Sequence, residues 1–202
     1  HVRKYYYRMK HLYLIAIFCL TIFSCKEEDD LDNERMSHIF DVPTFIEQEI
    51  ETYKNSTCSI YKEGEVNGVT EQKSISMENF DWEKEFKIVS NMNLRKISWV
   101  DNIQTDTISD TENEEVFIVR YQTNSSKIPI KKLSISYLKS APTVPILIEA
   151  ERSINNWIFN SQQKIYYNCG TGLRAEGFQK VLWLKEKEFN ITTIYNCKNE
   201  SN

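Results

Sequence analysis

From position 115 onward the chain alternates between apolar and polar residues, which is the pattern of half-buried β-strands. The clearest case is Leu133, Ile135 and Tyr137, which alternate with lysine and serine. The turns between successive runs are short, and short turns join antiparallel strands because a parallel crossover needs a dozen or more residues. The sequence therefore predicts antiparallel strands in the runs 115–121, 132–137, 144–148, 163–169, 173–184 and 188–195.

Upstream of position 115 the pattern predicts a short helix followed by a β-hairpin. Thr44 and Glu47 have the spacing of a capping box and mark the start of a helix over 44–54. The apolar residues on one face of this helix are Ile46, Ile50 and Tyr53. Asn67-Gly68, a dipeptide that accepts the positive φ of a type I′ turn, predicts a hairpin over 58–75.

A second short helix is predicted after Asn79, whose side chain can cap it. The residues that share its apolar face are Trp82, Phe86 and Val89. A further strand is predicted around Lys96–Trp99, a polar loop over Thr105–Glu115, and an irregular link over Ser153–Asn160. These segments have weaker patterns than the runs that follow position 115.

Together these elements predict an α+β fold. We expect a mainly antiparallel sheet of six to eight strands, with the two short N-terminal helices packed on one side of it. Aromatic residues fall on both faces of the predicted strands, for example at Tyr166 and Tyr167. A sheet of that kind is either covered on both faces or curls into a half-barrel around a cavity.

The composition and the charge narrow the classes of function. Of the 202 residues, 41% are apolar and 27% are charged, which is typical of a globular protein. Only 5 are Gly, and Gly170-Thr171-Gly172 is predicted to be a hairpin turn because no helix follows it. Residues 1–24 hold four basic residues and no acid, whereas the rest of the chain holds 21 basic and 29 acidic residues. That balance excludes a basic surface for nucleic acid.

The first 24 residues have the organisation of a secretory signal. A basic stretch ending in Met9-Lys10 precedes an apolar run over 12–23, which is too short to cross a bilayer as a helix. The residues Ile22-Phe23-Ser24-Cys25 resemble a lipobox, in which the cysteine is acylated before cleavage. The resemblance implies that Cys25 carries a lipid and that a membrane is a partner of the mature chain. An ordinary cleavable signal peptide and a signal anchor are the alternatives.

An acidic run follows this cysteine, and we expect residues 25–37 to form a solvated, extended tether. A single domain is predicted over 38–197, followed by a disordered tail over 198–202. The run consists of Lys26, Glu27, Glu28, Asp29 and Asp30. It resembles the start of surface lipoproteins of the Bacteroidetes, in which such a run acts as a sorting signal for the outer leaflet. The resemblance implies an outer-membrane lipoprotein displayed at the cell surface, with the periplasmic side as the alternative. The body is similar to uncharacterised lipoproteins of that group, which implies no activity.

Few catalytic groups remain in the predicted mature chain. His38 is its only histidine and lies beside the tether, which excludes catalytic triads and histidine-rich zinc sites. Paired carboxylates remain open because glycosidases use them without a fixed spacing. The candidates in strands are Glu149, Glu151 and Glu176, which alternation also predicts to face solvent. The acidic residues over 106–115 lack the order of a calcium loop, so a solvated loop is favoured there, and no metal or other cofactor is expected.

The cysteines and one threonine are candidates for covalent modification. Cys58, Cys169 and Cys197 can form at most one disulfide, and the sequence leaves their pairing open. Cys58 and Cys169 lie in predicted strands, where they could instead be small buried apolar residues. Asp106-Thr107-Ile108 resembles the short O-glycosylation acceptor of the Bacteroidetes, which implies Thr107 as a candidate acceptor.

Two classes of function follow. The first is a membrane-anchored lipoprotein that binds without catalysis, either as a half-barrel holding a lipid or other apolar ligand, or as a solid domain with a surface for an envelope protein. The second is a glycan hydrolase that uses paired carboxylates. We favour the first, because catalytic groups are few and aromatic residues make up 12% of the chain.

Overall fold

The computed structural model describes residues 27–198 and confirms a mainly antiparallel α+β fold. Within these residues nine strands pair in an open sheet. They are β1 Thr57–Val66, β2 Val69–Ile75, β3 Gln104–Ser109, β4 Val116–Gln122, β5 Ile130–Leu138, β6 Ala141–Asn155, β7 Phe159–Asn168, β8 Gly172–Val181 and β9 Lys187–Lys198. Their order across the sheet is β2-β1-β9-β8-β7-β6-β5-β4-β3, so the last strand lies between β1 and β8.

Four α-helices accompany the strands in the described part of the chain. They are α1 Glu27–Met36, α2 Val42–Lys54, α3 Trp82–Ser90 and the single turn α4 Ile97–Val100. A compact unit begins at Ile39 and contains α2, α3, α4 and all nine strands, whereas α1 lies outside it. Over residues 27–198 the helices are too short or too polar to cross a bilayer.

The acidic segment after the predicted lipidation site is helical where we expected an extended tether. Residues 27–36 form α1, so that expectation is wrong for these residues. Positions 27–30 form the first turn of this helix, and Arg35 lies in its last turn, where a cation complements the helix dipole. The predicted signal over 1–24, together with Cys25 and Lys26, lies outside the described residues, as does the predicted tail beyond Lys198.

Five aromatic side chains join the two main helices to the sheet, and we call them the aromatic cluster. They are Tyr53 of α2, Trp82 and Phe86 of α3, Tyr167 of β7 and Tyr195 of β9. Tyr53 stacks on Trp82 with ring centroids 4.7 Å apart, and the Phe86 ring meets Tyr167 edge-on at 5.1 Å. All five side chains are buried, so the predicted packing of both helices on one side of the sheet is confirmed.

The tyrosine hydroxyls inside the aromatic cluster form a chain of hydrogen bonds. The Gly170 N–H donates to the Tyr53 hydroxyl, which lies 3.0 Å from the Tyr167 hydroxyl, and Tyr167 donates to Glu49. Burial raises the pKa of Tyr53 to about 12 and raises the pKa of Tyr167 well above its ordinary value. Both hydroxyls therefore stay protonated at neutral pH and keep the chain of donors intact.

Helix α2 is capped by Asp41 rather than by the predicted Thr44. An Asp41 carboxylate oxygen accepts a hydrogen bond from the Thr44 N–H at 3.2 Å, so the helix begins two residues earlier than the capping-box spacing indicated. Pro43 lies in this first turn, where its missing N–H costs nothing. Aspartate caps a helix better than threonine does, which explains the earlier start.

The start of α3 and the identity of α4 also differ from the prediction. Asp81 caps α3 by accepting from the Lys84 N–H at 2.9 Å, while Asn79 ends a short 3₁₀ helix. The strand predicted around Lys96–Trp99 is instead the turn of helix α4, closed by a hydrogen bond from the Trp99 N–H to the Lys96 carbonyl. Four residues are too few for a period of two to be distinguished from a helical turn.

The predicted polar loop over 105–115 contains a strand. β3 pairs antiparallel with β4, and Thr107 lies opposite Val119. Its β-branched residues Thr105, Thr107 and Ile108 favour an extended backbone. β3 is an edge strand that is mostly exposed, so it lacks the alternation of buried residues by which the other strands were predicted.

The predicted irregular link over 153–160 is a tight hairpin between β6 and β7. β6 continues to Asn155, which pairs with Asn160 of β7. The hairpin predicted at Asn67-Gly68 is confirmed, with φ of 51° and 81° at the two residues. The turn at Gly170 is confirmed as well, since it joins β7 to β8.

A disulfide joins two neighbouring strands at the end of the sheet where the chain enters β1. Cys58 of β1 lies directly opposite Cys197 of β9, and the two sulfurs are bonded. The bond connects positions that are 139 residues apart in sequence. Cys169 is a free thiol in a half-buried position, and burial raises its pKa to about 12, so it is protonated at neutral pH and a poor nucleophile.

Replacing Trp82 with alanine should lower the free energy of unfolding by about 3–5 kcal/mol, because it removes a buried ring from the aromatic cluster. Urea denaturation of Trp82→Ala measures this change. Trp157→Ala is the matched control, since the Trp157 side chain is 79% exposed and its loss should change stability by less than about 0.5 kcal/mol. Equal stability of the two variants would contradict the role of Trp82 as a core residue.

Reduction of the disulfide should destabilise the protein by about 2–5 kcal/mol, because the bond limits the conformations of the unfolded chain. The urea midpoint with and without dithiothreitol measures the effect. The double variant Cys58→Ser/Cys197→Ser should be insensitive to reductant, whereas Cys169→Ser should respond as the natural sequence does. A natural sequence that ignores reductant would show that the bond does not form.

Candidate functional site

The site residues that the sequence predicts do not come together in the described structure. Cys25 and Lys26 lie outside the described residues, and positions 27–30 lie in the first turn of α1. Thr107 is exposed on the edge strand β3 rather than in a loop. These positions therefore form no common site, and their predicted modification and sorting roles stay predictions.

The three candidate carboxylates lie on the sheet face opposite α2 and α3. Glu149 and Glu151 alternate with buried Ala150, and Glu176 follows buried Ala175. The expectation that these acids lie on the outer face of the sheet is therefore confirmed.

Two of these carboxylates share a groove on the outer face. Glu151 and Glu176 line a groove of about 450 Å³, together with Lys164, which pairs with both of them from the strand between. Glu149 does not line the groove. A carboxylate oxygen of Glu151 lies 3.8 Å from the Lys132 ammonium. Glu176 forms an ion pair with Arg174, so each acid in the groove has a basic partner.

The acidic segment between β3 and β4 has a structural role. The Asp110 carboxylate accepts hydrogen bonds from the backbone N–H of Glu112 and of Asn113, which shapes the turn into β4. Over residues 27–198, no group of three or more His, Cys, Asp or Glu side chains is placed to hold a metal ion. The calcium interpretation of this segment therefore has no support in its geometry.

The most unusual surface of the described chain lies at the end of the sheet opposite the disulfide. Three adjacent turns meet there, between β1 and β2, between β8 and β9, and between β6 and β7. Eight of the ten large apolar side chains that are exposed in the described residues belong to these turns or to the strand residues beside them. We call them the apolar tip: Val66, Val69, Trp157, Ile158, Val181, Leu182, Trp183 and Leu184.

The turn between β6 and β7 holds Trp157 and Ile158 outward. The Asn156 side-chain oxygen accepts hydrogen bonds from the N–H groups of Ile158 and Phe159 at 3.0 and 2.8 Å. The Asn156 N–H donates to the Phe159 carbonyl at 2.9 Å. These three bonds fix the turn backbone, so the two apolar side chains are exposed by a defined turn and not by a loose loop.

The turn between β8 and β9 presents Trp183 in a conformation that bulky residues rarely adopt. The Leu184 N–H donates to the Val181 carbonyl at 2.9 Å, and Trp183 has a φ of 70° and a side chain that is 93% exposed. Turns usually have Gly or Asn at such a position, and a bulky residue there carries a cost of about 1–3 kcal/mol. The indole contributes little packing to the fold, so this cost is not offset by stability.

Hydrogen bonds join the three turns to one another. The Leu182 N–H donates to the Ile158 carbonyl at 2.7 Å, which connects the two tryptophan turns. The Asn67 N–H donates to the Glu188 carbonyl at 3.0 Å, and the Asn67 side chain accepts from the Glu188 N–H at 2.9 Å. The apolar tip is therefore a single connected surface made of three turns.

The charges around the apolar tip are unevenly placed. Residues 153–163, which surround Trp157, include no charged residue. The segment around Trp183 carries three lysines and two glutamates, all exposed, in a protein whose net charge is −4. They are Lys180, Lys185, Lys187, Glu186 and Glu188. The segment around Trp183 therefore has an excess of one positive charge, which the exposed Glu65 beside Val66 in the neighbouring turn balances.

The alternation of apolar and polar residues, from which the strands were predicted, does not identify the apolar tip. The alternation predicts one strand over residues 173–184, yet Val181–Leu184 are four consecutive apolar residues and break the period of two. Trp157-Ile158 directly follows Asn155-Asn156, and asparagine is a turn-forming residue. An apolar run that interrupts a strand pattern beside turn-forming residues is the signal that identifies this surface.

No protein-family model, curated protein or solved structure matches this chain. Its function therefore has to be inferred from its own residues.

Proposed function

We propose that this chain is a lipoprotein of the cell envelope, anchored through a lipid on Cys25, which acts by binding through the apolar tip. The observation that carries the proposal is the tip itself. Two tryptophans are 79% and 93% exposed on turns that hydrogen bonds hold in place. Large apolar groups kept in water, one of them on a strained backbone, mark a surface that is covered when the protein functions.

The Cys58–Cys197 disulfide supports a location outside the cytosol. Disulfides form and persist in oxidising compartments and are rare where thiols are kept reduced. The predicted signal over 1–24 would deliver the chain to such a compartment. The two features are independent, since one lies in the first residues and the other in the folded domain.

The resemblance of the acidic run to a sorting signal supports a location in the outer membrane, with the protein displayed at the cell surface. The run lies at the start of α1, and it is the first part of the mature chain that a sorting machinery would meet.

Binding explains the outer face of the sheet better than glycan hydrolysis does. The two acids that share a groove, Glu151 and Glu176, each have a basic partner, and Lys164 lies between them. Opposite charges on neighbouring positions are a common means of stabilising a solvated sheet face.

The interior favours the solid version of the binding module over the version with an acyl-chain cavity. The aromatic cluster fills the space between α2, α3 and the sheet. The sheet is open, with β2 and β3 at its edges, and does not close around a ligand. We therefore propose the exterior, at the apolar tip, as the binding surface.

Replacing Cys25 with serine should abolish the incorporation of labelled palmitate and leave an uncleaved precursor, because acylation precedes cleavage at a lipobox. Metabolic labelling of cells that express Cys25→Ser measures both effects. Cys169→Ser is the matched control and should be labelled as the natural sequence is. Persistent label in Cys25→Ser would show that the lipid anchor is not at this residue.

A photo-reactive phenylalanine analogue in place of Trp183 should form covalent adducts in intact cells, because the proposed binding surface is covered by a partner there. The same analogue in place of Val144, which is 58% exposed and lies away from the tip, is the control. We expect a high yield of adducts with the analogue at position 183 and no adducts with the analogue at position 144. Equal yields at the two positions would contradict a binding role for the tip.

A further inference from the structure

We infer that the partner of the apolar tip is the surface of a lipid bilayer, into which the two tryptophan turns insert at the level of the headgroups. The inference rests on the proposed role of the tip as the binding surface, but it does not depend on acylation of Cys25. Three properties of the tip carry it: its residue types, its shape and its charge.

The residue types of the tip are those that membrane interfaces select. Trp157 and Trp183 each combine a large apolar ring with a single N–H donor, so they suit a layer where one side is apolar and the other is wet. Ile158, Leu182 and Leu184 beside them are 45%, 40% and 62% exposed. These aliphatic side chains can enter the acyl region, while the indole N–H groups bond to water or ester oxygens.

The shape of the tip favours a fluid partner over a folded one. The exposed side chains of the two tryptophan turns lie on the outermost residues of their hairpins, so this part of the tip is convex, whereas Val66 and Val69 line a groove beside it. A protein that accepted it would need a matching cavity, and binding hot spots in proteins are usually enclosed by surrounding contacts. A bilayer adapts to any convex surface, so apolar burial there needs no shape complementarity.

The charges at the tip fit the polar layer of a bilayer. The turn that carries Trp157 lies in an uncharged stretch, so its insertion moves no charge out of water. Lys180, Lys185 and Lys187 flank the other turn, and long lysine side chains can keep their ammonium groups at the phosphates while the turn enters. Glu186 and Glu188, together with Glu65 in the adjacent turn, balance these lysines, so apolar insertion supplies the binding and anionic lipid is not required.

If a lipid at the N-terminus already holds the chain at a membrane, even weak insertion of the tip is enough to keep the tip bound to that membrane. Attachment of a chain to a membrane at one point raises the effective concentration of a second contact with that membrane when the geometry lets both contacts engage. Under the proposed function the tip would therefore bind the membrane as a second point of attachment. Insertion of the tip into vesicles without any protein partner is the property that separates this inference from the proposed function.

The test uses the full chain reconstituted in vesicles of phosphatidylcholine, or of phosphatidylcholine with phosphatidylglycerol, whose acyl chains carry bromine. Bromine quenches tryptophan only at short range, so we expect quenching of the exposed indoles and a shift of their emission to shorter wavelength. Leu184→Glu should reduce the quenching severalfold, because it places a charge in the inserted turn while both indoles remain. The effect should be present in both lipids.

Val144→Glu is the matched control, because it makes the same kind of change at an exposed residue away from the tip. It should be quenched as strongly as the natural sequence is. Near-ultraviolet circular dichroism should show that both variants keep the aromatic cluster, so that unfolding does not explain a loss of quenching. Equal quenching of Leu184→Glu and Val144→Glu would contradict insertion of the tip.

Indoles that remain quenched by aqueous iodide but not by brominated lipid, in both kinds of vesicle, would overturn the inference. If the photo-reactive analogue at position 183 then gave adducts with a protein, the proposed binding role of the tip would stand with a protein as its partner. If neither the lipid nor a protein were found at the tip, both the inference and the proposed function would be wrong.

Discussion

The stack between Tyr53 and Trp82 is the contact on which the rest of the domain depends. It lies where α2, α3 and the sheet meet, and Tyr195 packs against both rings at 5.4 and 5.2 Å. Helices of nine and thirteen residues are marginal on their own in water, so their stability comes from this packing. The chain of hydrogen bonds from Gly170 through the two tyrosine hydroxyls to Glu49 makes this packing specific. All of its donors and acceptors are paired in only one arrangement of α2, β7 and the turn at Gly170.

The two ends of the sheet differ in how they are built. One end has the disulfide between β1 and β9 and the turn at Gly170 that bonds to Tyr53. The other end presents the apolar tip, which relies on backbone hydrogen bonds within and between its turns. A rigid scaffold at one end can hold exposed and strained turns at the other, which is the usual way for a binding surface to be positioned.

Local patterns predicted the elements that pack against the core, and failed where partners distant in the chain decide the structure. Burial enforced the alternation in β5, and positive φ required Asn67-Gly68, so both were visible in the sequence. β3 is exposed, and its pairing with β4 rather than its own pattern makes it a strand. The partner of Cys58 depends on the register of two strands that the chain places far apart. The apolar tip could not be predicted from the alternation, because exposed turn residues that do not pack against the core follow no structural period.

The position of β9 has a consequence for the order of folding. β9 is the last strand of the described chain, yet it lies between β1 and β8 and pairs with both along most of its length. The first hairpin therefore cannot join the rest of the sheet until β9 has been synthesised, and contacts of such long range also form slowly. A nascent chain of this topology has no complete sheet to fold into. A chain whose sheet is completed late is compatible with the export proposed for it.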